Sequence, residues 1–290
     1  MASKAKIEPV TGRYVYVDVM GRTYRTYFEE NGEGTPIVCL HTAGADSIEF
    51  RHLLNDPEVT ARHRVIAFDL PRHGRSLPPD GWWAEKYTLT RDFYVAFVKA
   101  FCEALGLDQP ILMGCSMGGY VMFDIAHKHP GDFRAFISLQ GRAYEPNWMN
   151  LSDAVNDPEI NANMMIRPLV ASLMPGTAPL ALRREIEWIY MRGAPGLLAG
   201  DFHYAAIEHD SRSYGDELSK IGGKIFVIAG DWDWSCTSEH TDELKRSIRG
   251  LTVVRSPDLG HFPMSENPAA FRKALDPVLE KIAGLALAAE

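Results

Sequence analysis

Short apolar runs of five to eight residues recur along this 290-residue chain, and stretches of helical period separate them. Residues 36–41, 64–69, 109–115 and 133–140 are such runs, each ending at or beside Gly, Asp or His. A run apolar at every position suits a strand covered on both faces, which is the interior of a parallel sheet. Residues 90–105 and 116–128 carry apolar side chains at i, i+3, i+4 spacing and predict helices between the strands. Residues 224–230 and 251–255 predict two further strands, with a helix over 238–249 between them and a closing helix from about 268 to 287. Residues 13–20 and 22–28 alternate apolar and polar positions around Gly21, which predicts an antiparallel hairpin. The expected class is α/β, a mostly parallel sheet flanked by helices.

Residues 142–220 break the alternation. They hold helical patterns at 159–174, 179–192 and 196–209, punctuated by Pro175-Gly176 and Gly193-Ala194-Pro195. A structureless loop of that length is uncommon in a compact domain. The stretch therefore predicts an all-helical cap inserted after the sixth strand, leaving residues 1–141 and 221–290 as the core domain.

Hydrophobic residues at 46% and charged residues at 23% allow a sizeable core. A net charge of −8 argues against nucleic acid or an anionic membrane as the main partner; the expected partner is a small-molecule substrate. No apolar run approaches the length of a membrane span, and the first ten residues have no apolar leader segment. Cys39, Cys102, Cys115 and Cys236 form neither a CxxC pair nor a Cys/His cluster of zinc spacing. They are expected to be free thiols in a reducing, cytoplasmic setting, with no metal or cofactor.

Gly114-Cys115-Ser116-Met117-Gly118 fits G-x-S-x-G, and a predicted strand ends at Cys115 where a predicted helix begins. Small residues two before and two after the serine allow a tight strand-to-helix turn. That turn lifts the serine oxygen clear and leaves the Met117 N–H facing the same space, at a helix end that favours negative charge. A serine hydroxyl attacks well only when a base removes its proton, so a histidine is required. His261, in the loop after the last predicted strand, is the candidate among ten histidines. An acid should orient it. Asp231 and Asp233, just past the strand over 224–230, are both available, and the resulting order is Ser, Asp, His.

With those residues in place, the chain resembles the α/β-hydrolase fold superfamily over nearly its whole length, in the branch with a serine nucleophile. Residues 114–118 resemble its nucleophile elbow. Asp69-Leu70-Pro71-Arg72-His73-Gly74-Arg75-Ser76 resembles its turn after the fourth strand, with His73 departing from many members. Gly230-x-x-Asp233 resembles its acid turn, and the spacing from glycine selects Asp233, leaving Asp231 to brace the turn. Gly260-His261-Phe262-Pro263 resembles its histidine loop. Some members carry the acid after the sixth strand, which keeps Glu145 as an outside candidate; Asp258 reads as a turn residue. The resemblance implies that the Ala43 N–H completes an oxyanion hole with Met117. Here Thr42 stands where the family usually has glycine, so that loop must suit a β-branched residue. His41 is expected to support the loop, and His73 its own turn.

The resemblance implies a serine hydrolase cleaving a carboxylic ester through a Ser116–His261–Asp233 triad and an acyl-enzyme. Carbon–carbon bond hydrolysis of a ring-cleavage product uses the same triad, and lactones, thioesters and amides are also open. A non-catalytic receptor on this fold is disfavoured by the complete triad. Trp148, Met149, Met164, Met165, Trp188, Tyr190 and Met191 in the cap, with Phe262 beside His261, suggest an apolar chamber, and Trp82 and Trp83 are candidates for its border. Arg142, leaving the sixth strand beside the serine, either meets a substrate carboxylate or forms an ion pair, with Glu145 a possible partner.

Overall fold

The computed structural model describes residues 7–146 and 162–285. Its centre is an eight-stranded sheet of order β1-β2-β4-β3-β5-β6-β7-β8. The strands are β1 (Thr11–Val19), β2 (Arg22–Asn31), β3 (Thr35–Leu40), β4 (His63–Phe68), β5 (Ile111–Cys115), β6 (Ala135–Leu139), β7 (Ile225–Gly230) and β8 (Thr252–Ser256). β1, β2 and β4 pair antiparallel, and every pair from β4 to β8 is parallel. The hairpin turns at Met20 and Gly21, both at positive φ (49° and 77°), the geometry of a two-residue turn that matches strand twist.

The apolar runs are two-faced, as their composition predicts. In β3, Val38 and Leu40 join one core while Ile37 and Cys39 join the other; in β4, Ile66 and Phe68 oppose Val65 and Ala67. Helices α1 (Arg91–Ala104) and α2 (Met117–Lys128) cover the first face. Phe101 of α1 stacks on Phe68 with ring centroids 4.3 Å apart. Helices α6 (Ser238–Ser247) and α7 (Pro268–Ala283) follow the last two strands in turn. α7 covers the second face with Phe271, Leu275, Val278, Leu279 and Ile282.

Between β6 and β7 the described residues are mainly helical: α3 (Ala162–Ser172), α4 (Leu180–Met191) and α5 (Leu197–His203), which runs on into a π-helical turn, Tyr204–Glu208. One isolated bridge joins Tyr144 to Asp210. Within the stretch expected as a cap, the described buried apolar side chains fall into two clusters, with Leu198 packed against both. α3, α4 and the turn after α3 form a separate cluster of Ile166, Val170, Leu173, Met174, Ile186, Ile189 and Tyr190 with Ala45 and Phe262. Phe202, Tyr204, Ala205, Tyr214 and Leu218 instead sit in the main core. Asp124 of α2 ties them down, accepting from the Tyr204 and Tyr214 hydroxyls and facing His209 at 3.0 Å. Short helical turns at Ser47–Phe50, Arg51–Leu54 and Pro57–Thr60, between β3 and β4, were not expected from the periodicity. Asp46 and Asp56 cap the first and third, and Pro57 opens the latter.

Candidate active site

Ser116 sits between β5 and α2 at φ 53°, ψ −117°, a conformation that non-glycine residues seldom hold. The neighbouring glycines make it possible. A Cβ on Gly114 would come within 2.2 Å of the Gly118 carbonyl, and one on Gly118 within 2.5 Å of the Leu40 carbonyl. The turn is pinned by the Ser116 N–H donating to Leu139 O (2.9 Å) and by the Cys115 thiol donating to His261 O (3.1 Å). Cys115 thus ties the serine turn to the histidine loop.

His261 meets Asp233 directly, Nδ1 to Oδ2 at 2.7 Å. Both side chains are buried. The other Asp233 oxygen accepts from the Ser235 N–H (2.8 Å) and Oγ–H (2.6 Å). Burial alone would raise the Asp233 pKa, but the charge of His261 and these hydrogen bonds hold it below the usual carboxylate range. Burial alone would lower the His261 pKa, and Asp233 more than offsets this, so it lies above the ordinary value. Asp231 is exposed and pairs with Arg255 (2.7 Å), and Asp258 is an exposed turn residue. Glu145 pairs with Arg142.

Arg142 does not line the cavity. Its guanidinium reaches Glu145, donates to Ser235 O (3.0 Å) and faces His240 Nε2 (2.8 Å). Of the two readings open for Arg142, this arrangement matches the ion pair with Glu145 and not a contact with a substrate carboxylate. The physical reason is the carboxylate three residues away and the acid turn packed against it.

Ala43 and Met117 both line the cavity over Ser116. Neither N–H has a hydrogen-bond acceptor among the described residues. Thr42 keeps a negative φ, so its β-branch is accommodated. Its N–H and Oγ–H donate to the two oxygens of buried Glu49 (2.9 and 2.8 Å), and its hydroxyl also meets Tyr190. Gly44, at φ 72°, donates its N–H to Asp201 of α5 (2.7 Å). His41 is held by Thr42 O (2.8 Å) and the Leu70 N–H (3.1 Å); burial, then the charge of His73, pushes its pKa down to about 4. His73 faces Pro71 O (3.1 Å) and Asp201 (2.9 Å). Burial opposes its charge, Asp201 outweighs burial, and the pKa is raised. His73 is thus more than a turn residue, since it shares Asp201 with the loop that carries Thr42 and Gly44.

Above Ser116 and His261 lies a narrow, mainly apolar cavity, partly open to solvent. Ile166, Leu169 and Val170 of α3 and Leu173 just past its end supply one wall, and Tyr120, Tyr190, Leu198, Phe202, Ala205 and Phe262 supply much of the rest. Phe262 was expected there. Met165 and Trp188 were expected too, but they are 38% and 51% exposed and lie off the wall. Helix phase is the reason: 166, 169, 170 and 173 are i, i+3, i+4, i+7, and 165 falls outside that stripe. Trp188 instead lies under the Arg192 guanidinium, 4.7 Å from its ring. Met164, Met191, Trp82 and Trp83 are exposed and away from the cavity. Trp148 and Met149 lie outside the described residues. Among the described residues no group of three or more His, Cys, Asp and Glu is placed to hold a metal ion, and no helix is long and apolar enough to cross a membrane.

A sequence model of the alpha/beta hydrolase fold family matches residues 35–181, half of the chain. The chain belongs to that family. It is similar to an esterase from Thermogutta terrifontis at a TM-score of 0.80 and 22% identity, covering 94% of this chain and 99% of that one. It is 38% identical over 114 residues to the dihydrolipoyllysine-residue acetyltransferase component of the acetoin cleaving system of Pseudomonas putida, covering 39% of this chain. It is 29% identical over 123 residues to a 2-hydroxy-6-oxononadienedioate/2-hydroxy-6-oxononatrienedioate hydrolase of Klebsiella pneumoniae, covering 41% of this chain. The matches span 28% and 41% of the length of these two relatives.

Proposed function

We propose that this protein is a serine hydrolase that cleaves a carboxylic ester of a small, largely apolar substrate. One observation carries the reading. Ser116, on a strained strand-to-helix turn, shares an apolar cavity with His261, whose Nδ1 is engaged by Asp233 at 2.7 Å. That engagement leaves Nε2 for the serine. Oγ gives its proton to His261 as it bonds to the carbonyl carbon, and the oxyanion takes the N–H of Ala43 and Met117. The carbon–oxygen bond to the alcohol then breaks, and the alcohol leaves with the proton from His261. Water attacks the acyl-enzyme by the same route, releasing the acid and restoring Ser116. α3 and α4 act as the lid, a narrower cap than residues 142–220. The four free, buried cysteines support a cytoplasmic setting.

A fluorophosphonate should label Ser116. Ser116→Ala should abolish labelling and turnover while the protein stays folded. Labelling at another serine overturns the assignment. Carbon–carbon bond hydrolysis is a second reading, supported by the likeness to the Klebsiella protein. Turnover of such a dioate in preference to every ester tried would favour it.

A further inference from the structure

Four polar side chains line the cavity among the described residues: Ser116, His261, Tyr190 and Tyr120. The first two belong to the chemistry, and the Tyr190 hydroxyl meets Thr42. Tyr120 is 1% exposed, and its hydroxyl has no hydrogen-bond partner among the described residues. Leaving a buried hydroxyl unpaired costs more than a formed hydrogen bond returns, so such a group in a binding cavity points to what the cavity receives.

Tyr120 is also well placed and well fixed. Its N–H donates to Ser116 O (2.8 Å), so it lies one turn of α2, roughly 6 Å along the axis, beyond the serine. Its ring stacks on His209, with centroids 5.3 Å apart and planes 15° apart. His209 is held in turn by Asp124 (3.0 Å) and Arg142 O (2.9 Å). Burial keeps the phenol protonated well past neutral pH, so it meets a ligand as a donor.

We propose that the Tyr120 hydroxyl selects the substrate by donating to a neutral acceptor oxygen, a ketone or hydroxyl, carried a few atoms from the scissile ester. The inference rests on the ester-hydrolase reading and deepens it. A carboxylate is disfavoured at that position. No Lys or Arg lines the cavity, Arg142 is engaged elsewhere, and residues 147–161 contain neither. An anion would enter a mainly apolar space where the nearby charge of Glu145 outweighs that of the already paired Arg142.

The test compares wild type and Tyr120→Phe on matched esters: plain hexanoate, its 4-oxo and 5-oxo analogues, esters of the corresponding keto alcohols, and an adipate monoester. At least one keto ester should lose about tenfold in kcat/KM in the variant, the worth of one hydrogen bond, while plain hexanoate changes less than twofold. The adipate monoester should be turned over at least tenfold more slowly than the best keto ester. The melting temperature of the variant should be unchanged, since the ring is kept. Equal loss on all esters, no selective loss on any, fast turnover of the adipate monoester, or a melting point several degrees lower each overturns the proposal. Fluorophosphonate labelling separates the two failures. Without labelling at Ser116 the hydrolase reading falls and takes this inference with it. With labelling and plain-ester turnover intact, only the role of Tyr120 falls.

Discussion

The two walls of the cavity are built on different principles. The strand-end wall is polar and over-determined. Asp233 accepts from His261, Ser235 N–H and Ser235 Oγ–H; Thr42 is bound at both donors by Glu49; Gly44 is held by Asp201; and the Gly260 N–H is held by Glu266. The helical wall is a stripe of aliphatic side chains, Ile166, Leu169, Val170 and Leu173, that direct nothing. Directional contacts fix an atom within tenths of an ångström, as a reacting centre demands, whereas apolar packing fixes a volume. Changes to the first wall should therefore alter how fast reaction occurs, and changes to the second should alter what reacts.

The largest expected effect falls on the acid. Asp233→Asn should lower kcat by up to ~10⁴, as loss of the tautomer-setting carboxylate does in a triad. Wild-type kcat/KM should rise with pH to a plateau, because only neutral His261 accepts the serine proton. Its midpoint should lie above that of a free histidine, since Asp233 stabilises the imidazolium against burial. A variant within tenfold of wild type would remove Asp233 from the mechanism and blur the contrast between the walls.

Arg142→Met tests whether the polar wall is a support or a recognition surface. Removing one partner of a buried pair costs about 3–5 kcal/mol, and Glu145 would be left buried without its guanidinium. Denaturant unfolding should show a loss of that order. Turnover should fall equally on the adipate monoester and plain hexanoate, because the Ser235 carbonyl loses its donor and the acid turn loosens. Selective loss on the acidic ester would return Arg142 to the substrate.

Glu49 gives a smaller effect with a definite sign. Burial pushes its pKa up to about 7, against the hydrogen bonds from Thr42. With a folded value above the unfolded one near 4.5, the folded state binds the extra proton between them. The stabilisation is complete below about pH 4.5 and is lost as pH rises through 7. Glu49→Gln should therefore flatten stability over about pH 5 to 8, by up to roughly 3 kcal/mol. The Glu266 pKa, also raised to about 7 by burial, leaves part of the slope in place. An unchanged slope would mean that Glu49 does not titrate in this range.

What was legible in the sequence follows the same division. Gly114 was legible because the Gly118 carbonyl that excludes a Cβ there is only four residues on; Gly118 was legible only as part of the same G-x-S-x-G spacing, since what excludes a Cβ there is the distant Leu40–His41 backbone. The strand ladder was legible because a strand covered on both faces must be apolar throughout. The contact of His261 with Asp233 rather than Asp231 follows the resemblance, since the local sequence leaves both aspartates open. The bracing was not legible: Gly44 to Asp201 spans 157 residues, Arg142 to Ser235 spans 93, and Thr42 to Tyr190 spans 148. No periodicity encodes such pairs. The cavity wall was partly legible and was misread, since size singled out Met165 and Trp188 where phase pointed to Leu169 and Val170.

The smallest expected effect falls on that aliphatic wall. Val170→Ala removes two methyl-sized groups from a side chain that is 2% exposed and faces the cavity. The space gained should shift acyl-chain preference toward longer esters by a few fold, since each added methylene in an apolar pocket is worth about 1 kcal/mol or somewhat more. Trp188→Ala removes a far larger side chain from the outer face of α4, where it contacts Arg192 and not the cavity. It should leave chain-length preference and kcat within about twofold, and stability within about 1 kcal/mol, as surface substitutions do. Measuring kcat/KM for propanoate to decanoate esters on both variants decides the matter. If the small cut at 170 is silent and the large one at 188 changes preference, the helical wall faces the substrate with the other side of its helices, and the cavity described here is a packing space.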